Sequence, residues 1–180
     1  MRREAMIGMA IVLTGVLTGA AAADETYVGT VAIAAAGGAS APVPLTLTIR
    51  QYTSDERANR LAQMLHDKGH VATAAELAKD DLGQAQLGDA TFRLTLIRQE
   101  PTGKGQILRV VTDHPLYAKP PAPAPPAGSV GYLELTVNAE GAGNGRLMPA
   151  VTAKFDDEGF VAPENVGGAT WTVSDVKRRP

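Results

Sequence analysis

The sequence predicts an α+β domain: a seven-stranded, mostly antiparallel sheet, curved or closed into a barrel, with a two-helix insertion between strands 2 and 3. Three observations carry this. Short stretches in which apolar and polar residues alternate lie on both sides of one helical stretch. Hairpin-length turns join most of them, which makes neighbours antiparallel. A sheet with one apolar face needs a helical cover or closure on itself to hide that face.

Before the first strand, Met1-Arg2-Arg3 precedes an apolar run from Met6 to Leu17, and Ala20–Ala23 precede Asp24. A basic start, a short apolar middle and small residues before a cut read as a secretory signal peptide over 1–23. The run is too short for a span of about 20 apolar residues. Arg2-Arg3 fits an ordinary basic start, and a twin-arginine signal is the alternative. Residues 24–180 then form a single β-rich domain, expected in the periplasm or outside the cell with no membrane span after cleavage. The chain carries a formal net charge of −2, made one unit more negative when Arg2, Arg3 and Glu4 leave. Nothing there attracts nucleic acid. It has no cysteine, so disulfides, thiolate metal sites and a cysteine nucleophile are excluded.

Thr26–Ile33 places Tyr27, Gly29, Val31 and Ile33 on one side. Leu45, Leu47 and Ile49 alternate with Thr46, Thr48 and Arg50. The glycine-rich stretch Ala36–Pro42 joins these two strands as a hairpin. A helix follows, with Thr53 as N-cap and Glu56 completing a capping box. Ala58, Leu61, Ala62 and Leu65 share a face, Glu56 and Arg60 form an i, i+4 pair, and Gly69 stops the helix. A second helix puts Val71, Ala74, Ala75 and Ala78 on its apolar face. Its Asp80-Asp81 is unfavourable at a helix C-terminus, and Gly83 closes it. Five more strands are expected: Phe92–Ile97, Ile107–Asp113, Val130–Asn138, Arg146–Asp156 and Thr170–Lys177. In the last, Val176 breaks an alternation led by Trp171 and Val173.

A proline-rich loop over 114–129 interrupts the sheet. Its six prolines, Pro115 to Pro126, favour polyproline II and cannot sit in a central strand. It reads as an exposed connection, or as a docking segment for an aromatic-lined groove.

Chemistry-bearing residues are few. Asp113 and His114, side by side at the edge of the proline loop, are the candidate catalytic pair. An oriented imidazole needs a nucleophile. The serines beyond the signal, Ser40, Ser54, Ser129 and Ser174, stand in no nucleophile motif. His66 and His70 have the i, i+4 spacing of two zinc ligands, but Gly69 lies between them and no HExxH pattern is present. The acidic turn Asp156-Asp157-Glu158 could hold an ion or simply face water. Gly141–Gly145 lies between two strands and opens no helix, so it reads as a glycine hairpin and not a phosphate loop. Lys177-Arg178-Arg179 is too short to imply nucleic-acid binding. No cofactor is expected.

Val28-Gly29-Thr30, the segment Tyr52-Thr53-Ser54-Asp55-Glu56-Arg57, Thr112-Asp113 and the glycine hairpin together resemble a family of exported bacterial domains without an assigned activity. The proline loop looks like an insertion into that pattern. The resemblance brings no site residues. The reading is therefore an exported, non-catalytic binding or interaction module for a small molecule or an envelope protein. The alternative is a small periplasmic hydrolase or metal-dependent enzyme using Asp113 and His114.

Overall fold

The computed structural model describes residues 24–34, 40–117, 123–156 and 161–180. The expected signal peptide over 1–23 and the start of the first hairpin loop lie outside them. So do the middle of the proline loop and Asp157-Glu158.

Nine strands and one helix make up the described chain: β1 (Glu25–Ala34), β2 (Ser40–Ile49), α1 (Asp55–Leu77), β3 (Gly83–Leu87), β4 (Ala90–Thr102), β5 (Gly105–Thr112), β6 (Val130–Asn138), β7 (Ala142–Phe155), β8 (Val161–Asn165) and β9 (Trp171–Arg179). The strands run in the order β6-β5-β4-β3-β2-β1-β9-β7-β8, and β6 also pairs with β7. That pairing closes eight antiparallel strands into a barrel and leaves β8 as an extra strand on the second half of β7. The expected seven strands with a two-helix insertion are thereby corrected. The two unforeseen strands are β3 and β8. In β3 only Leu87 of the inward positions is large, beside Gly83 and Ala85, which is too little to signal a strand, and in β8 Pro163 interrupts the pattern.

Alternation decides what fills the barrel. Tyr27, Val31, Leu45, Leu47, Ile49, Phe92, Leu94, Leu108, Leu133, Leu135 and Val173 point inward and form one buried cluster. An eight-stranded barrel is just narrow enough for side chains to fill it, and here they do. A second cluster lies outside the wall, where Leu61 and Leu77 of α1 cover Leu96, Val111, Tyr132, Met148 and Val151. Val71 is the one large apolar side chain exposed among the described residues.

Bulges let some strands serve both clusters. In β4 a register shift between Leu94 and Leu96 sends Leu96 outward under α1 and Ile97 back inward. In β9, Asp175 adopts φ 55°, and the registers with β1 and β7 slip there. The extra residue is why Val173 and Val176 both face the core, three positions apart.

α1 is one helix element where two were expected. Gly69 (φ 76°, ψ −178°) is non-helical, at the position where a stop was expected, and divides the element into two helical arms. Arg57 Nε and Nη2 donate to Asp80 Oδ2 at 3.0 and 2.8 Å, and Nη1 donates to Glu76 Oε1 at 3.0 Å. In a straight helix, residues 57 and 76 would be about 28 Å apart at 1.5 Å per residue. The two arms therefore lie side by side, and Asp80, unfavourable by its place at the helix end, is neutralised by Arg57. The N-cap is Ser54, whose Oγ accepts from Arg57 N at 3.2 Å, not Thr53. Thr53 Oγ1 instead accepts from Ile97 N at 2.9 Å, which ties the helix start to β4. The second arm buries Thr73 and Leu77 and leaves Val71 and Ala75 exposed, because Leu77 and not the alanine stripe has a large side chain to bury. No helix among the described residues is long and apolar enough to cross a membrane.

Candidate functional site

Asp113 and His114 leave the end of β5 in a turn anchored on three strands. Asp113 N donates to Arg93 O of β4 at 3.0 Å, and Gly131 N of β6 donates to His114 O at 3.2 Å. Leu116 N donates to Pro149 O of β7 at 2.8 Å. Thr112 Oγ1 locks the turn from within, donating to His114 O at 2.7 Å and accepting from Gly131 N at 3.1 Å. Leu116 then inserts into the barrel cluster and closes that end. Gly131 makes room for it: a Cβ there would stand 2.4 Å from Leu116 Cγ.

His114 Nδ1 lies 2.7 Å from Asp113 Oδ1, in contact but off hydrogen-bond alignment. Arg93 Nη2 stands 3.4 Å from Asp113 Oδ2 and donates to Ala78 O at 2.9 Å. The His114 ring rests on Phe92, with centroids 5.3 Å apart. These side chains line an open cleft of about 450 Å³, completed by Arg50, Asp81, Gln84 and Thr91. Arg50 pairs with Asp81 on its exposed rim.

Two further cavities adjoin the cleft. His114 also borders one of about 320 Å³ walled by Pro115, Tyr117, Ala124, Pro125 and Pro126. Phe92 also borders one of about 440 Å³ walled by Ile33, Val43, Leu87 and Ala90. The two rings in contact thus divide three openings around one end of the barrel. Tyr117 braces the proline side by meeting Trp171 edge to face, at a centroid distance of 6.5 Å.

No nucleophile is presented to the Asp113–His114 pair among the described residues. Ser129 borders the proline cavity with His114, but its hydroxyl donates to Pro126 O at 2.7 Å. Ser54 caps α1, and Ser174 donates to Asp175. His66 and His70 sit on either side of the bend at Gly69, the first exposed and the second half-buried. Among the described residues no group of three or more His, Cys, Asp or Glu could hold a metal ion. Asp156 directly follows β7. Gly141, at φ 78°, makes the β6–β7 turn, and Gly143 and Gly145 lie within β7.

The opposite end of the barrel is closed by polar side chains. Glu25 Oε2 accepts from Tyr27 OH at 3.0 Å and from Tyr52 OH at 3.2 Å, and Gln106 Nε2 donates to Tyr27 OH at 3.1 Å. Gln99 donates to Gln106. Burial first, and the Glu25 carboxylate second, push the Tyr27 hydroxyl up to about 12 and raise that of Tyr52. Every polar group named there has a partner inside the set, which suits a plug better than a binding site.

Sequence reasoning singled out Asp113 and His114 but missed Arg50, Asp81, Phe92 and Arg93. The faint signal was that Arg50 and Arg93 fall on the outward, polar side of predicted strands. Nothing local showed that they share a cleft. No protein-family model, curated protein or solved structure matches the chain.

Proposed function

We propose that this chain is an exported, non-catalytic interaction module that engages its partner at the end of the barrel marked by Phe92 and His114. One observation carries the reading: the barrel interior is filled by its own side chains, while a surface cleft bordered by the buried Phe92 ring and the exposed His114 ring shares one of them with each of two further cavities. Ligand sites are concave, mostly apolar, and hold a few convergent polar groups. Here two apolar cavities flank a polar one. The basic start, apolar run and Ala20–Ala23 support export, with Asp24 as the first residue of the working domain.

The test is site-specific photocrosslinking in the native envelope. Thr91, exposed in the cleft, and Thr136, exposed on the outer wall at β6, each receive a benzophenone side chain. Adducts from position 91 and none from 136 are expected. Equal labelling, or no adduct at 91, overturns the reading.

A small hydrolase is the second reading, favoured by the 2.7 Å approach of Asp113 Oδ1 to His114 Nδ1, which places a carboxylate beside an imidazole although the contact is not aligned as a hydrogen bond. It requires ester or amide hydrolysis that falls to background in His114→Ala. Hydrolysis that is absent, or unchanged in that variant, eliminates it.

A further inference from the structure

We infer that the cleft at this end of the barrel binds an uncharged sugar chain, recognised through its hydroxyl groups. The inference rests on the binding face proposed above and goes on to name its ligand.

Charge comes first. Arg50, Asp81, Arg93 and Asp113 line the cleft as two ion pairs, Arg50 with Asp81 and Arg93 with Asp113. Their formal charges cancel. An anionic ligand has to compete with these carboxylates for the guanidinium groups, and a cationic one with the guanidinium groups for the carboxylates. Either gains one ion pair by giving up another, and exposed pairs contribute little. A neutral ligand leaves both pairs in place.

Hydrogen-bonding capacity then chooses among neutral ligands. Asp113 Oδ1 is buried without a hydrogen-bond partner, because His114 Nδ1, 2.7 Å away, is off alignment. This oxygen needs a donor. The guanidinium groups have the opposite need. Each offers five N–H donors. Among the described residues, the Arg50 side chain meets only Asp81, and that of Arg93 meets Asp113 and the Ala78 carbonyl. Most of these donors are open to an incoming acceptor. A hydroxyl is donor and acceptor at once, whereas a carboxylate cannot donate and an ammonium cannot accept. A sugar carries hydroxyls on adjacent carbons, so neighbouring groups answer both needs within one cleft. The His114 side chain is 56 % exposed. Its ring is free to turn aside and admit a hydroxyl to Asp113 Oδ1, and its flat face then meets the C–H side of the sugar ring.

The surroundings continue the same chemistry. Gln84 and Thr91 also line the cleft, are exposed, and hydrogen-bond through their side chains to nothing among the described residues. Across the ladders Gln84 stands between Thr48 and Arg93, and Gln86 between Thr46 and Thr91. The outer wall of β2, β3 and β4 thus leads into the cleft as two rows of polar side chains, of which only Arg93 is charged. A cleft of about 450 Å³ is within the range of sites that hold small ligands, about 300–1,000 Å³, and suits a disaccharide. The rows offer uncharged donors and acceptors to further sugars of the same chain.

The experiment titrates the full mature protein by calorimetry with four tetramers: β-1,4-linked glucose and N-acetylglucosamine, both neutral, galacturonate as the anion, and lysine as the cation. At least one neutral sugar is expected to bind about tenfold or more tighter than either charged tetramer, a difference of about 1.4 kcal/mol. Its affinity stays the same between about 0.05 and 0.5 M salt, a range over which charge-driven binding weakens. Gln84→Ala weakens it several-fold, and this exposed side chain has no partner in the fold to lose. Asp81→Asn leaves Arg50 without its counter-charge and tightens binding of the galacturonate tetramer, a gain that misfolding cannot imitate. Failure of both neutral sugars to bind, equal or tighter binding of either charged tetramer, a Gln84→Ala variant that loses nothing, or an Asp81→Asn variant that gains nothing overturns the inference. Tighter binding of the lysine tetramer also reassigns the cleft to a cationic peptide. Those results leave the binding face itself standing. Its own failure is read separately, by the missing crosslink at position 91.

Discussion

Replacing Leu116 by Ala tests whether the turn carrying Asp113 and His114 is welded to the barrel. Leu116 is 2 % exposed and belongs to the interior cluster, although it lies in a connection and not in a strand. Core Leu→Ala changes cost about 2–5 kcal/mol, depending on how far the site can collapse. The turn is held by backbone bonds to Arg93, Gly131 and Pro149, so it settles only partly onto the gap, and about 2–3 kcal/mol is expected. For a domain of this size each kcal/mol shifts Tm by about 2–4 °C, giving a fall of about 4–12 °C. Urea unfolding followed by Trp171 fluorescence and far-ultraviolet circular dichroism measures it. A double-mutant cycle with Gly131→Ala sharpens the test. Alone, the added Cβ stands 2.4 Å from Leu116 Cγ and 2.5 Å from Thr112 Oγ1, an overpacking that costs about 1–3 kcal/mol. With Leu116 shortened, one of the two clashes vanishes, so the double variant loses less than the two single losses combined, by about 1 kcal/mol. Additive losses, or a Leu116→Ala change under about 0.5 kcal/mol, refute the idea that this side chain plugs the barrel.

Three other outcomes follow from the same geometry. Gly69→Ala meets no atom within 4 Å, so its whole cost is conformational: φ 76° with ψ −178° is a glycine region, worth about 1–3 kcal/mol, and a thermal melt unchanged from wild type contradicts the bend. Arg57→Ala unfastens the two arms of α1, and amide exchange should quicken by about tenfold or more across residues 58–77 while β5 and β6 stay protected; unchanged exchange in α1 contradicts the fastening. Burial raises the hydroxyls of Tyr27, Tyr52 and Tyr132 above the ordinary tyrosine value of 10.0, with nearby carboxylates adding to it. Their neutral forms favour the fold, so the stabilisation is complete below pH 10 and drains away as the pH rises through about 12. Chemical denaturation midpoints should fall across that window, less steeply in Tyr27→Phe, and a flat profile argues against the buried cluster.

How much was legible depended on where the information lay. In β1, β2 and β6 it was local: Tyr27, Val31, Leu45, Leu47, Leu133 and Leu135 alternate in the sequence and all face the barrel interior. The misfit at Val176 was legible as a misfit, and Asp175 in the left-handed region is its cause. β3 was not legible because, of its inward positions, Gly83 and Ala85 have little side chain and Leu87 alone does not declare a face. That segment is a strand because β2 and β4 each offer it a ladder. The second arm of α1 was misread for another reason. Val71, Ala74, Ala75 and Ala78 fit a helical stripe, but three of them are alanines with little to bury, and Leu77, packed with Leu61, sets the buried face together with Thr73.

The site was legible only where its residues are neighbours in the chain. Asp113 and His114 stand together in any reading, but Arg50, Asp81 and Arg93 reach them through register. Arg50 follows β2, Asp81 precedes β3, Arg93 lies in β4 and Asp113 follows β5, and these four strands are consecutive in the barrel wall. Each residue is therefore placed beside the next by a ladder: Gly83 opposite Ile49 and Leu94, and Leu94 opposite Thr112. A slip of one residue in any of those ladders would turn a guanidinium to the other face of the wall. The tight approach of Gly83, where a Cβ would stand 2.1 Å from Thr48 O, resists such a slip at the centre of the set. A glycine with no functional group of its own thus does as much to assemble the cleft as the charged residues that line it.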